Sequence, residues 1–376
     1  MSSTQNSLGS ARNTLSSVRT ATWLILLLAM TVFLFLFGLS AGSVSIPWVG
    51  LWGSLTGHFA HAGNGSQVGA DQIWDRILWQ IRLPRCLAAL LGGACLALSG
   101  LEMQTLFRNP LAGPYSMGIS SGATLGVALA VLAGAAAGAG ALPGWMDMGG
   151  LWSQLGVAGS AVAGAGAVMA MVLALSRRIR SNTTLLILGL MFGQMAGALV
   201  SVLQAFSDAE RIRAFTFWSF GSYAGVTWGQ MPILAGAFVL GLGLAASCAK
   251  PLNALLLGWT YAKSLGVPVQ TLRVLLLASS SLLAGAVTAF CGPVAFLGLA
   301  VPHLCRGLFR TADHRILIPG CVLLGAFLSL AADLASRLPG NGRALPLNSV
   351  TALVGAPVVI WVLLRRRPGS ALEKDA

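Results

Sequence analysis

Charge is scarce in this chain. Only 9% of its 376 residues are Asp, Glu, Lys or Arg, against about 25% in a typical soluble domain. A water-soluble domain this poor in charge could not cover its surface, so a cytosolic globular enzyme, a disordered chain and a secreted disulfide scaffold are excluded. Acids are rarest, 10 against 23 Lys and Arg. There is no paired-carboxylate cluster and no HExxH among the four histidines. His58 and His61 form an HxxH in a polar loop, at best a weak metal site. The lysines are Lys250, Lys263 and Lys374, and none follows a glycine. A P-loop needs that lysine to reach the phosphates, so the chain does not itself hydrolyse ATP by that route. The six cysteines, Cys86, Cys95, Cys248, Cys291, Cys305 and Cys321, form no CxxC pair and lie in or beside apolar runs. They read as small lipid-compatible core residues. No bound cofactor is expected.

What is abundant is apolar side chain, at 56% of residues with a mean hydropathy of +0.80. Uncharged stretches cover 109–146, 148–176, 181–207, 214–249, 274–305 and 344–364. Each is long enough to hold a spanning helix of about 20 residues. The run 21–39 follows Arg12 and Arg19 and is too long for a cleavable signal, so it reads as a first helix. Ten spans result: 21–39, 83–104, 115–136, 152–175, 183–205, 230–249, 271–291, 294–310, 316–336 and 347–364. The Gly292-Pro293 break divides the seventh from the eighth, although hydropathy alone also allows one long broken helix. The fold expected is an all-α polytopic membrane protein with one transmembrane domain over 21–366, between tails 1–20 and 367–376.

A net charge of +13 suggests nucleic acid in a soluble protein, but here the basic residues cluster in short loops between apolar runs. With the N-terminus inside, sixteen Lys and Arg fall on the inner side and seven on the outer. The asymmetry places both termini in the cytoplasm and requires an even number of spans. Gly118, Gly122 and Gly126 repeat every four residues, as do Gly189, Gly193 and Gly197. Such faces let helices approach closely in lipid. The Ala/Gly run 133–141 reads as an outer loop or frayed helix end.

Two acids fall within spans. Glu102 near the inner end of the second span is expected to snorkel or to pair with Arg108, with a proton-handling role as the alternative. Asp333 is expected to pair with Arg337, four residues on. His303 reads as structural. The inner segment 251–266, PLNALLLGWTYAKSLG, is too short and polar to span but carries Leu255, Leu256, Leu257, Trp259 and Tyr261. An interfacial helix on lipid and a docking helix for a soluble partner both fit it.

Several strings carry a family resemblance: RLPR at 82–85, SGLEMQTLFRNPLAGP at 99–114 followed by MGISSGA, FWSFGSYAGVTW at 217–228, GPVAFLGLAVPH at 292–303 and LPLNSVTALVGAP near the end. In order and spacing they resemble the FecCD/BtuC family, membrane permeases of ABC importers for ferric siderophores, haem and cobalamin. The resemblance covers about residues 80–366. It implies ten helices in two inverted five-helix halves, a homodimer with the path between the two copies, two cytoplasmic ABC ATPase subunits that use ATP and Mg, and a periplasmic substrate-binding protein. It implies the bacterial inner membrane and a transport subunit with no enzymatic activity of its own. It makes 251–266 the coupling segment, with Leu255, Leu256, Leu257, Trp259, Tyr261, Lys263 and Gly266 facing the ATPase. Arg82, Arg85 and Arg337 become binding-protein docking residues, and Ser181, Asn182 and Thr183 an inner gate. A ferric siderophore is the leading cargo, with haem and cobalamin next. Family members usually have an apolar residue where Glu102 stands, and the common ELPxG string has Ala344 for its glutamate and Asn348 for its glycine. The rival class, a proton-coupled secondary transporter acting through Glu102 or Asp333, would need no ATPase.

Overall fold

The structure is a computed structural model and describes residues 2–42, 47–48, 51–53, 70–136, 150–179, 181–338 and 345–365. His58, His61, Arg343, Ala344 and the tail 367–376 lie outside the described residues. Among the described residues all regular structure is helical. In chain order the helices are α1 (Ser2–Ser40), α2 (Ala70–Ile77), α3 (Leu83–Leu106), α4 (Ile119–Ala136), α5 (Gly150–Arg178), α6 (Asn182–Ala205) and α7 (Ala209–Ser219). There follow α8 (Met231–Ser247), α9 (Ala249–Leu256), α10 (Trp259–Ser264), α11 (Val269–Cys291), α12 (Leu297–Phe309), α13 (His314–Ser336) and α14 (Leu347–Arg365).

Each of the ten apolar runs coincides with a helix. Among the described residues six helical stretches are long and apolar enough to cross a membrane: Val18–Ser40, Ile73–Leu106, Gly156–Arg178, Asn182–Ala205, Val269–Cys291 and His314–Ser336. Helices α8 and α9 reach that length only when taken together, and they are bent by 55° at their junction. Apolar stretches of α4, α12 and α14 are shorter. The tail before residue 18 does not separate from the first span but continues its helix, with no proline to stop it.

Local chemistry sets the element ends. Ser181 accepts the Thr184 N–H at 3.2 Å and Asp313 accepts the Arg315 N–H at 2.9 Å, so each caps the helix that follows it. A π-helical turn, Leu78–Arg82, precedes α3, and Pro84 occupies its first turn, where a missing N–H costs nothing. The Gly292-Pro293 break is real. Gly292 has φ +72°, and an added Cβ would sit 2.6 Å from the Trp218 carbonyl oxygen. The loop after α7 fills the gap, with the Ser222 N–H donating to the Cys291 carbonyl at 2.8 Å.

Helix α3 is the axis of the bundle. It packs against α8, α11, α12 and α13, and nearly every side chain from Ala94 to Leu106 is buried. Lipid offers no hydrophobic drive for two apolar helices to associate, so close packing and polar cross-links must hold them. Both are visible. A Cβ on Gly100 would lie 1.7 Å from the Gly298 carbonyl oxygen, and one on Gly93 would lie 2.2 Å from that of Gly325. The repeat Gly118, Gly122 and Gly126 meets Gly189, Gly164 and Ser160, whereas Gly197 has nothing within 4 Å of such a Cβ. Across α3, the hydroxyls of Ser99 and Ser280 lie 2.6 Å apart, and the Gln104 amide donates to the Leu299 carbonyl at 3.0 Å.

Gly100→Ala is expected to force α3 and α12 apart, since backbone rather than a flexible side chain stands in the way. Overpacking of this kind costs about 1–3 kcal/mol. The check is the thermal midpoint of the purified protein in detergent, which should drop. Gly197→Ala, at a position with open space, should leave it unchanged.

Candidate functional site

The segment 251–266 folds as α9 and α10, joined by Leu257 and Gly258, whose φ of +111° suits glycine. It is amphipathic. Leu252, Leu255 and Ala262 are fully buried against the bundle, and Trp259 is half-buried. Leu256, Leu257 and Tyr261 point outward, at 38%, 65% and 50% exposed. Lys263 and Gly266 are also exposed. Of the seven residues singled out from the sequence, Leu255 is thus an anchor that holds the segment down, Trp259 is half-buried beside it, and the outer face belongs to the other five.

Beside this segment lies an open cleft of about 1180 Å³. Its walls include Trp259 and Lys263 of α10, Asn182 and Thr183 of the turn into α6, Arg108 after α3, and Arg273 of α11. The structure therefore brings the expected coupling segment and the expected gate turn to one cavity. The turn 181–183 is tied to its neighbours. The Asn182 amide donates to the Leu106 carbonyl at 3.2 Å, and Arg273 Nη1 donates to the Ile179 carbonyl at 2.7 Å. Ser181 is the N-cap of α6, and Thr183 is exposed to the cleft.

At the opposite end of α3 stand Arg82 and Arg85, with Arg337 at the end of α13. All three are engaged within the chain. Arg82 is 5% exposed and donates through Nη1 to the carbonyls of Leu39 at 2.6 Å and Ser40 at 2.7 Å. These belong to the last turn of α1, whose carbonyls lack helical partners and attract a cation. Arg85 reaches Asp333 Oδ1 at 2.9 Å, and Arg337 pairs with the other carboxylate oxygen. Burial alone would push the Arg337 guanidinium down, but Asp333 and Cys86 hold it above its ordinary value. The expected Asp333–Arg337 pair is present. Arg85, 248 residues away in sequence, was not foreseen as its second partner.

Glu102 departs from expectation. It neither snorkels nor pairs with Arg108. It is 0% exposed, and Oε1 accepts the Ser279 hydroxyl at 2.8 Å. Helix α3 is enclosed on all sides at this level, so the side chain has no route to the interface. Arg108 lies beyond the helix end, turned away by a left-handed backbone with φ +48°. His303 holds the loop after α3 through the Pro110 carbonyl at 2.8 Å, a structural role. Asn348 was noted only as a departure from a family string. Its side-chain oxygen accepts the Ala295 N–H at 3.1 Å and its own N–H donates to the Phe220 carbonyl, so it stitches α14 to the break before α12. Only a local polar residue at a helix start could have signalled this.

Asp333→Ala is expected to lower the thermal midpoint strongly, because it strands two largely buried arginines. Removing one partner of such a pair costs about 3–5 kcal/mol. Limited proteolysis near residue 40 should accelerate as α1 loosens. Glu102→Gln keeps an acceptor for Ser279 and is expected to leave uptake intact at every external pH tested. A profound loss with normal assembly would mark Glu102 as a proton site.

The family model of the FecCD transport family matches residues 30–365. Among curated relatives, the vitamin B12 import system permease protein BtuC of Salmonella typhimurium (strain LT2) is 38% identical over 291 residues, 77% of this chain and 84% of that protein. The same permease of Citrobacter koseri is 38% identical over 293 residues, 78% of this chain and 84% of its own. A solved structure described as an inward-facing conformation of a metal-chelate type ABC transporter superposes with a TM-score of 0.76. It is 30% identical and covers 92% of this chain and 100% of its own. Multi-pass helical architecture, the amphipathic segment 251–266 and these matches agree: the chain belongs to the FecCD transport family and is an ABC importer permease, a transport subunit and not an enzyme.

Proposed function

We propose that this chain is the inner-membrane permease of an importer that moves a metal chelate, with cobalamin the favoured cargo, from periplasm to cytoplasm. The observation that carries the reading is the segment 251–266, held to the bundle by Leu252 and Leu255 and exposing Leu256, Leu257 and Tyr261, in a chain that matches its family over 30–365. Exposed apolar side chains on a water-facing surface call for a partner, and two ATPase subunits that use ATP and Mg are that partner. Their movement would act beside the gate turn Ser181, Asn182 and Thr183, a reading supported by the cleft that Asn182 and Thr183 share with Trp259 and Lys263. Two copies of the chain enclose the path. Ten helices cross the membrane in two inverted halves, and both termini are cytoplasmic, in keeping with the sixteen-to-seven split of Lys and Arg.

Cobalamin is preferred over a ferric siderophore or haem because relatives at 38% identity are vitamin B12 permeases. Binding-protein docking at the outer end falls to the partly exposed edges of Arg85 and Arg337, while Arg82 serves mainly to fasten α1. The proton-coupled alternative loses its two candidates: Asp333 is neutralised by arginines, and Glu102 is sealed inside the bundle.

Two measurements test this. Cells lacking their own vitamin B12 permease should take up labelled cyanocobalamin when given this chain with its ATPase and binding protein, and should not do so without the ATPase. Uptake of a ferric siderophore alone would transfer the cargo assignment, and uptake without the ATPase would sink the ABC reading. Changing Leu257 and Tyr261 together to Asp should release the ATPase from the tagged permease during co-purification, because interface energy concentrates in a few buried apolar and aromatic anchors. Retention of the ATPase by that variant would overturn the coupling assignment.

A further inference from the structure

The inner face of the coupling segment carries one polar side chain into the bundle. Asn253 lies on α9 between Leu252 and Leu255, both fully buried. It meets the start of α13. The Asn253 Nδ2 amide donates to Asp313 Oδ1 at 2.6 Å. Asn253 Oδ1 receives the His314 backbone N–H at 2.9 Å and lies 2.7 Å from His314 Nδ1. On the far side of the ring, His314 Nε2 lies 2.8 Å from Thr105 Oγ1 on α3. His314 is 0% exposed and Thr105 3%.

Hydrogen-bond chemistry gives this chain a direction. Burial pushes the Asp313 carboxyl up, but the Arg315 N–H, the Asn253 amide and the Arg315 guanidinium outweigh it and hold it below its ordinary value. It is therefore an anion at neutral pH and can only accept. This orients Asn253, whose amide must face Asp313 and whose oxygen must face His314. An amide oxygen has no proton, so Nδ1 of the ring carries it. Nε2 of a neutral imidazole then accepts, and Thr105 supplies the hydroxyl proton. The Thr105 hydroxyl has a second acceptor in the Leu101 carbonyl at 2.9 Å, but the helical ladder of α3 already provides that carbonyl with a donor. Asp313, Asn253, His314 and Thr105 of α3 are thus linked by one consistent series of donors and acceptors.

We propose that Asn253, His314 and Thr105 form a positioning relay that fastens the coupling segment to α13 and to the central helix α3, so that a displacement imposed on α9 by the ATPase moves all three together. The proposal rests on the coupling reading of 251–266. Its physical basis is that hydrogen bonds are steep in distance and angle, and that a buried group left without its partner is costly. Leu252 and Leu255 alone would let α9 slide over an apolar surface; the polar chain does not. His314 and Thr105 lie outside the ATPase-facing surface, so altering them separates transmission from docking.

The test uses the assembled transporter with its ATPase and binding protein in proteoliposomes. Thr105→Val keeps the shape and removes the donor, while Thr105→Ser restores the donor. With Thr105→Val the ATPase should co-purify and basal ATP hydrolysis should be unchanged, but stimulation by the binding protein should fall about tenfold, within the usual range of coupling between sites. Thr105→Ser should recover it, which a simple packing role for the methyl group would not predict. Should Thr105→Val fail to assemble, His314→Phe, which fills the space without donating or accepting, is read by the same measures. Normal stimulation in the assembled Thr105→Val or His314→Phe transporter would overturn the relay. The Leu257 and Tyr261 double variant reports separately on the segment itself. If that variant keeps its ATPase, the coupling reading and the relay fall together. If it loses the ATPase while Thr105→Val is fully stimulated, the relay alone is wrong.

Discussion

Helix α3 can sit at the centre of this bundle because its glycines let other backbones touch it. In water, burying apolar surface would draw the helices together. In lipid that drive is absent, and association depends on dispersion at short range and on hydrogen bonds between helices. Gly93 against Gly325 and Gly100 against Gly298 bring α13 and α12 to backbone contact with α3. The pairs Ser99–Ser280 and Gln104–Leu299 then reach across gaps that larger residues would have held open. Each such bond is worth only about 0.6 kcal/mol on average in a membrane protein, so the number and the placement of the cross-links matter more than any single one.

Both functional ends of the molecule are built on this axis. At one end, the arginines of the RLPR string fasten α1 and share Asp333 with Arg337. A charge cluster that looks from the sequence like a surface for a partner is largely spent on internal contacts. At the other end, the loop after α3 is held by His303, the turn into α6 by the Leu106 carbonyl, and the segment 251–266 by the chain of bonds that ends at Thr105. Asn182 and Thr183 share a cleft with Trp259 and Lys263, and both segments are tied to the same rigid helix.

Glu102 shows how an intramembrane acid can be accommodated without an ion pair. Its partner is a hydroxyl from α11, and the site is closed to solvent and lipid alike. Asp333 shows the other solution, a carboxylate shared by two guanidinium groups. The two acids were similar in sequence, each placed near a helix end with an arginine four or six residues on. Only their neighbours across the bundle separate them.

Composition and charge spacing alone determined that this is a multi-pass helical membrane protein, where its apolar helices run apart from the division at Gly292-Pro293, and that 251–266 lies at the surface. Those properties follow from transfer of a contiguous segment into lipid, which depends on the segment and little else. The strings from RLPR to LPLNSVTALVGAP identified the family for the same reason, since they are local. What tertiary structure decided was which helix faces lie inside. In lipid an apolar face looks the same whether it meets a neighbour or an acyl chain, so the burial of Glu102, the inward turn of Leu255 and the open space at Gly197 could not be read. The partners of Arg85, Asn348 and Asn253 lie about 50 to 250 residues away in sequence. Hydrogen bonds require contact within about 3 Å, and contact over such separations is created only when the bundle closes.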